Sequence, residues 1–540
     1  MSLRVEYTDR PEGAQESAVF SAASTQPFSD QQKLATGTED TPWVSLEPGG
    51  WRLDGKGVLW EEQPPVVGWW SDERSGDDGR FEEPPVISVS FPRVYTATGI
   101  TFRFWPSLQH WCGEMEVYWY SGDTLLQQCV AYPDGPDWVL DQPVEGFDRI
   151  VIQLLSTNVP GQFAKLQQLQ VGQVVVFFQD EIVQVSLLNE VDPSLCQLSA
   201  DTMQVEIRAR KNRTLIPQKN QSMRLYRGEE QLAAHYIADS SREAQQFYTF
   251  RCQSAIGRLE GNFLGGIYTD MPVQQLLNQV LDGFLYELDG GFAQETVTGY
   301  LPVCTCREAL QQIAFALGAV VTTRGDGLIC LSALPEQVTG SFDGSSIFSG
   351  AKVNRETQTA AVQIFAHSYM VDTREETLLD GETVQGSGVL FVFSEPHHSY
   401  VLTGGTVVDS GANWVRLSAQ GQVKLTAKKY VHSVSVRRRE NPLATAAEKG
   451  NVVSVESATL VHGGNAEQTL DRLYQFCILK NLLTQQVVVS GQQAGALVQS
   501  VNPWGTVTEG YITSMESQFT GSGHTADVTI RGIEKAKEES

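Results

Sequence analysis

Five tryptophans stand within the first seventy residues, and their side chains are well suited to binding a ligand. They are Trp43, Trp51, Trp60, Trp69 and Trp70. The face of an indole ring stacks well on the C–H face of a sugar, so these residues are candidates for a glycan-stacking platform. Packing in the core of a β-sandwich is the alternative. We favour it because the residues from Trp43 onwards alternate as in half-buried strands.

The other reactive residue types form no catalytic or metal-binding pattern. The sequence has no HExxH, Walker A, GxSxG or strand-linked GxGxxG motif. Its eight cysteines are scattered, and Cys304 and Cys306 form only a C-x-C without a second Cys/His pair nearby. The acidic loop over residues 72–78 lacks the ligand spacing of an EF-hand. We therefore predict no catalytic residue, no metal site and no cofactor, and we expect that the protein is not an enzyme.

The charge of the chain limits its partners. The 540 residues carry a net charge of −25, whereas binding to DNA phosphates needs clustered Lys and Arg. Arg437, Arg438 and Arg439 form a basic run after a predicted strand. In this acidic context we expect them to pair with a carboxylate surface, and they are candidates for a contact between subunits.

Targeting signals are not evident in the sequence. No stretch approaches eighteen consecutive apolar residues, and the N-terminus has no apolar h-region. We therefore predict no membrane anchor and no secretory signal. Scattered cysteines without a framework of paired spacings are typical of a reducing cytoplasm.

The first third of the chain has the pattern of an all-β domain. A length of 540 residues predicts two to four domains. Residues 1–45 are polar with little periodicity, and we expect them to lie extended over a sheet. Apolar and polar residues then alternate, as in Ile87–Phe91, Met115–Trp119 and Ile150–Leu154, and no helical stretch interrupts them. This pattern predicts a β-sandwich over residues 1–175.

Two helices are predicted in a second domain over residues 176–340. Thr305 stands three residues before Glu308, which is the spacing of a capping box, and Gly318 supplies a left-handed stop. These signals predict a helix near 306–317. Pro272 fits only a first helical turn, and the apolar stripe that follows predicts another helix near 272–282.

The remaining residues, 341–540, are predicted to form a third domain that consists mainly of strands. One more helix is expected near 466–483, with Asn465 and Gln468 as its cap. Two strands over 511–519 and 526–531 flank a glycine-rich link, which predicts a C-terminal hairpin. The predicted fold class is therefore mainly β, with a few short amphipathic helices.

The first domain resembles a known family of sugar-binding folds. The segment LATGTEDTPWVSLEPGGWRLDG (residues 34–55), followed by short strands that end in LQQLQVG (residues 166–172), resembles discoidin-like domains of the galactose-binding type. The resemblance lies in the layout of the segments. It implies that the N-terminal sandwich is a jelly roll, and that host cell-wall glycan is a candidate ligand.

Three further segments resemble tail proteins of phages and prophages of Gram-positive hosts. They are FLGGIYTDMPVQQLLNQVL (263–281), GYLPVCTCREALQQIAFALGAVVTTRGDGLICL (299–331) and NPWGTVTEGYITSMESQFTGSGHTADVTIRG (502–532). The resemblance covers about residues 175–533. It is to the tail-tip or baseplate hub that closes the tail tube, and it implies β-barrel-like hub domains after the jelly roll.

The resemblance to tail hubs also implies a function and partners. It implies a virion structural protein at the tail tip, assembled in the bacterial cytoplasm as a homotrimer. Its neighbours would be distal tail or tube, tape-measure, and fibre or receptor-binding proteins, and DNA would pass without specific binding. An adhesin for cell-wall glycan, or a carbohydrate-active enzyme, is the alternative that the tryptophans leave open.

Overall fold

The computed structural model describes residues 2–45, 47–48, 50, 54–59, 67–194, 196–210, 213–520 and 523–536. Within them the chain is mainly β, and its four α-helices are short. The helices are α1 (Ala14–Ser17), α2 (Val273–Val280), α3 (Cys306–Leu317) and α4 (Ala466–Cys477).

The strands of the described residues are, in chain order, β1 (Leu3–Asp9), β2 (Val19–Ala22), β3 (Trp69–Arg74), β4 (Val86–Arg103), β5 (Cys112–Ser121), β6 (Thr124–Ala131), β7 (Asp137–Thr157), β8 (Phe163–Leu166), β9 (Gln168–Val171), β10 (Gln173–Phe178), β11 (Ile182–Glu190), β12 (Thr202–Arg208), β13 (Ser222–Arg227), β14 (Glu230–Ala244), β15 (Phe247–Gln253), β16 (Asn262–Phe263), β17 (Gly266–Pro272), β18 (Tyr286–Leu288), β19 (Thr296–Leu301), β20 (Cys304–Thr305), β21 (Ala319–Thr323), β22 (Ile329–Ala333), β23 (Gly340–Phe342), β24 (Lys352–Arg355), β25 (Ala361–Val392), β26 (His397–Ser410), β27 (Trp414–Glu440), β28 (Val452–Val455), β29 (Asn481–Val488), β30 (Leu497–Val501), β31 (Thr506–Thr520) and β32 (Gly523–Ala536).

The N-terminal part contains a six-stranded sheet and a separate two-stranded one. The larger sheet has the order β2-β4-β7-β5-β6, and β9 pairs with residues 100–103 at the end of β4. In the smaller sheet β3 pairs with β8. Alternation of buried and partly exposed residues along β5 puts Met115, Val117 and Trp119 into the core. A single hydrophobic cluster joins these residues to Phe102 and Phe147. The alternation read from the sequence is therefore present as half-buried strands.

The first strand lies in another sheet than the sequence suggests. β1 is inserted between β10 and β13 of the large sheet, with both neighbours antiparallel. We expected residues 1–45 to lie extended over a sheet as part of a domain over residues 1–175. The alternation of Leu3, Val5 and Tyr7 explains the difference, since these side chains fill the core of the large sheet and are at most 5% exposed.

The large sheet has thirteen strands and is open. Its main path runs β10-β1-β13-β14-β15-β12-β11-β31-β32-β29-β24, with β30 on β31 and β23 on β30. The C-terminal hairpin thus pairs with β11, so the sheet joins the start of the chain to its end. We expected β-barrel-like domains, but the described strands do not close into a barrel because the path has two free ends.

A small α/β unit packs α2 and α3 against short strands. The helix α3 begins where the capping box predicts it: the Thr305 hydroxyl accepts a hydrogen bond from Glu308 N (3.2 Å), and Glu308 accepts one from Thr305 N (2.8 Å). Gly318 ends the helix with φ of 80°. The apolar face of α2 is buried over Val273, Leu276, Leu277 and Val280. The predicted bounds of 306–317 and 272–282 agree with the structure to within two residues.

Loss of the Thr305 cap gives a first testable expectation. Replacing Thr305 with alanine should destabilise the α/β unit by about 1 kcal/mol, because the amide of Glu308 loses the hydroxyl that accepts its hydrogen bond. Replacing Thr305 with serine keeps the hydroxyl and should cost little. The measurement is hydrogen exchange of the first turn of α3. Equal exchange in the alanine and serine variants would show that the cap contributes nothing.

A long antiparallel sheet of β25, β26 and β27 follows, called here the long sheet, with the order β26-β27-β25 and with β28 beside β25. The half of this sheet that contains Val384, Leu417 and Leu425 has its own core, which is built from valine, leucine and alanine side chains of β25 and β27. The other half of the sheet carries α4, which packs on β25 and β27.

The last of the three helices predicted from the sequence, α4, is shorter than predicted. α4 ends at Cys477, whereas the sequence suggested a helix to residue 483. The difference arises because residues 481–488 alternate between buried and exposed and form β29 beside β32. The Asn465 side chain does not cap the helix and instead accepts a hydrogen bond from His462 N (2.8 Å). Among the described helices, none has the length and apolar composition needed to cross a membrane.

Candidate functional site

The predicted tryptophan platform is mostly inside the protein. Trp69 and Trp70 are at most 1% exposed, so neither indole face is open to a sugar. Trp43 is half-buried beside the small cluster that contains Trp70. Trp51 and Trp60 lie outside the described residues. Because Trp69 and Trp70 are buried, they do not form the predicted stacking platform. They pack in the core, which was the favoured alternative.

The cluster around Trp70 contains an ion pair that the sequence did not suggest. Lys165 Nζ lies 2.7 Å from Glu47 Oε1, and the two side chains are 1% and 0% exposed. The ammonium also lies 3.0 Å from His110 Nδ1 and 4.6 Å from the centroid of the Trp70 ring. Burial lowers the pKa of Lys165, while the Glu47 carboxylate acts in the opposite direction.

Hydrogen bonds tie this ion pair to the neighbouring loops. Phe163 N donates to Glu47 Oε1 (2.8 Å), so the carboxylate joins its own loop to β8. The Gln162 amide donates to Pro48 O (2.8 Å) and lies 2.9 Å from His110 Nε2. The arrangement closes the loop end of the sandwich around charged groups that water does not reach. It is therefore built to hold the loops in place.

A cavity of about 340 Å³ lies beside this closed end. It is lined by Lys33, Glu39, Thr41, Trp43 and neighbouring backbone. Its lining therefore includes one half-buried indole together with a lysine and a glutamate. This is a smaller aromatic surface than five tryptophans would provide.

The three arginines proposed for a subunit contact already have partners in their own chain. Arg437 Nε lies 3.1 Å from Glu467, and Arg439 pairs with Asp471, both on α4. Arg438 pairs with Glu440 at 2.7 Å. The expected pairing with carboxylates is thus present, and two of the three pairs fasten α4 to the long sheet. A role between subunits stays a prediction.

Another cavity, of about 430 Å³, opens between the large sheet and the α/β unit. Leu187 and Met515 line it from β11 and β31, and Arg227 and Glu230 from the turn between β13 and β14. The Arg227 guanidinium lies 2.8 Å from the Glu230 carboxylate, so these two charges offset each other. Among the described residues no group of three or more His, Cys, Asp or Glu side chains is placed to hold a metal ion.

Burial shifts the pKa values of two titratable groups that line this cavity. Burial raises the pKa of Asp201 to about 6. It lowers the pKa of His524 to about 4, with a further contribution from Arg227. His524 also stacks on Phe519, with ring centroids 4.5 Å apart. Near pH 7 the cavity therefore holds a neutral imidazole and a carboxylate that is costly to ionise.

The shift at Asp201 predicts how stability depends on pH. The folded form keeps its proton between about pH 4 and 6, where the unfolded form has released it, so this stabilisation is lost as the pH rises through 6. Replacing Asp201 with asparagine should raise stability by roughly 1–3 kcal/mol at pH 7.5 and much less at pH 4.5. Thermal unfolding at the two pH values measures this, with exposed Asp180→Asn as the control. A gain that is equal at both pH values would contradict it.

Comparisons with known proteins concern the fold. No family model matches the chain, and no curated protein matches it. The 43 kDa tail protein of prophage MuSo2 from Shewanella oneidensis is similar at 12% identity and a TM-score of 0.40, over 66% of this chain and 95% of that chain. A tail protein from Neisseria meningitidis MC58 is similar at 10% identity and a TM-score of 0.42, over 65% and 92%.

A carbohydrate-binding module is similar to a smaller share of the chain. The family 32 carbohydrate-binding module of C. perfringens NanJ, solved in complex with galactose, is similar at 15% identity and a TM-score of 0.21, over 31% of this chain and 98% of that chain. At these TM-scores the likenesses decide neither the function nor the site residues of this protein.

Proposed function

We propose that this protein is a structural component of a phage or prophage tail, the class that its sequence segments resemble and that the two tail structures carry in their names. It acts at the tail tip as a baseplate hub that closes the tail tube of a phage of Gram-positive bacteria. It works in the virion as a homotrimer beside other tail proteins, without enzymatic activity, and DNA passes it without specific binding.

The segments that carry the sequence resemblance are parts of the scaffold. Residues 263–281 and 299–331 form most of the α/β unit, where α2 and α3 share one hydrophobic core. Residues 502–532 form most of the β31–β32 hairpin, which pairs with β11 in the large sheet. Their side chains thus serve the fold, as in a structural protein.

The single observation that carries the proposal is a set of solvent-exposed apolar side chains on the long sheet. Met370 and Val371 of β25 are 58% and 71% exposed, and neighbouring residues on a strand face opposite sides. Val434 and Val436 on β27 are 45% and 50% exposed. Apolar side chains exposed on both faces of a sheet are typical of a surface that another chain covers.

Sedimentation and light scattering test the proposal. Wild-type protein should have a mass of about three times 59.5 kDa. Val371→Asp places a carboxylate in the interface and should weaken association at least about tenfold. Val19→Asp, at a valine that is 59% exposed on β2, is the matched control and should assemble normally. A wild type that stays monomeric at every protein and salt concentration, or that lyses cell walls, would overturn the proposal.

A further inference from the structure

Strand β6 forms an unprotected edge of the six-stranded sheet. It is the last strand in the order and pairs with β5. From Thr124 to Tyr132 the sequence has neither a charged residue nor a proline. Soluble proteins usually protect such edges with charges, proline or a very short strand, because the free N–H and C=O groups pair readily with another chain. Strand β24, at one end of the large sheet, has such protection in Lys352 and Arg355.

The side chains along this edge are apolar and open to solvent. Leu125 and Leu126 are 44% and 39% exposed, Val130 is 49% exposed and Tyr132 is 65% exposed. On the side away from the core, Val130 lies opposite Glu116 of β5, whereas Cys129 lies opposite the buried Val117. The strand therefore offers both backbone groups and an apolar row to a partner.

The charge around this edge is mainly negative. Residues 104–148 contain eight carboxylates and neither Lys nor Arg: Glu114, Glu116, Asp123, Asp134, Asp137, Asp141, Glu145 and Asp148. Three arginines lie nearby: Arg80 pairs with Glu114, Arg103 lies 3.7 Å from Asp137, and Arg149 donates to Gly122 O (3.3 Å). Asp123 and Asp134 stand just beyond the two ends of the uncharged strip and are exposed. A strand laid along β6 thus meets negative charge at both of its ends.

We propose that the free edge of β6 pairs with an extended segment of another protein, which has apolar side chains at alternate positions and Lys or Arg at its ends. Backbone hydrogen bonds along the edge supply affinity in this mode of recognition, and the flanking charges fix the register. The inference goes beyond the proposed tail function and does not depend on it.

A second copy of this chain fits the edge less well. Each copy has a net charge of −25, so its approach brings more negative charge to the edge. Its basic strand end Arg437–Arg439 is already paired with Glu467, Glu440 and Asp471, and in the edge strand β24 Arg355 lies 3.1 Å from Glu534. A basic segment of a different protein meets neither obstacle.

Peptide binding to the full chain tests the inference. The probe is a short synthetic peptide of alternating valine and threonine with two lysines at each end, and the comparison peptide has glutamates in place of the lysines. Fluorescence anisotropy should show binding of the lysine peptide alone, weaker at 300 mM than at 50 mM salt. Hydrogen exchange should show new protection of amides in Thr124–Ala131.

Two variants distinguish edge pairing from general attraction to an acidic protein. Val130→Lys should weaken binding at least about tenfold. Val94→Lys changes the charge equally at a valine that is 57% exposed on β4, and it should bind as wild type. Equal binding of both peptides, or protection outside β6, would overturn the proposal. Protection of β6 that rises with protein concentration without peptide, together with a doubled mass, would also overturn it by showing a second copy at the edge.

Discussion

Replacing Lys165 with methionine should lower the free energy of unfolding of the N-terminal sandwich by about 3–5 kcal/mol. The reason is that Glu47, whose side chain is fully buried, keeps its charge but loses the ammonium at 2.7 Å. Removing one partner of a buried ion pair is costly because the other cannot recover its hydration. Tryptophan fluorescence measures the effect on this domain, since nine of the eleven tryptophans precede residue 175.

A second substitution shows whether the lone charge is the cause. In the double variant Lys165→Met with Glu47→Gln, the amide oxygen can still accept from Phe163 N, and most of the stability should return. Lys33→Met, at an exposed lysine, should change stability by no more than about 0.5 kcal/mol. If the double variant is as unstable as the single one, the ion pair is not what holds the loops.

The parts of this fold that could be predicted are those fixed by neighbours in sequence. The capping box of Thr305 and Glu308 lies within four residues, and the structure has both of its hydrogen bonds. The alternation in β5 is equally local. In each case the residues that decide the structure are close enough in the chain for spacing alone to reveal it.

The parts that were missed depend on distant partners. Residues 481–483 suit a helical face or a strand, and pairing with β32 decides for the strand. Lys165 gives no local signal of burial, because lysine is ordinarily exposed and its partner Glu47 lies 118 positions away. The buried ion pair in the sandwich was therefore out of reach of sequence reasoning, although the alternation around the tryptophans beside it favoured core packing for them.

Replacing Gly172 with alanine should uncouple the unfolding of the sandwich from the unfolding of the large sheet. Gly172 is the only residue between β9 of the sandwich and β10 of the large sheet, and its φ is +92°. An added Cβ would lie 1.7 Å from the carbonyl oxygen of Asp9. The backbone must move to accept it, so we expect a cost of roughly 2–4 kcal/mol from strain and overpacking together.

The position of Asp9 explains why this movement should reach both parts. Asp9 ends β1 in the large sheet, yet its buried carboxylate accepts hydrogen bonds from Thr98 N of the sandwich (2.6 Å) and from the Gln221 amide (2.8 Å). Displacing Asp9 should break this link, so calorimetry should resolve separate transitions for the two parts. Gly146→Ala is the matched control: φ is +73° there, but the Cβ has open space, and only about 1 kcal/mol should be lost. If Gly172→Ala unfolds like Gly146→Ala, the contact with Asp9 does not couple the sandwich to the sheet.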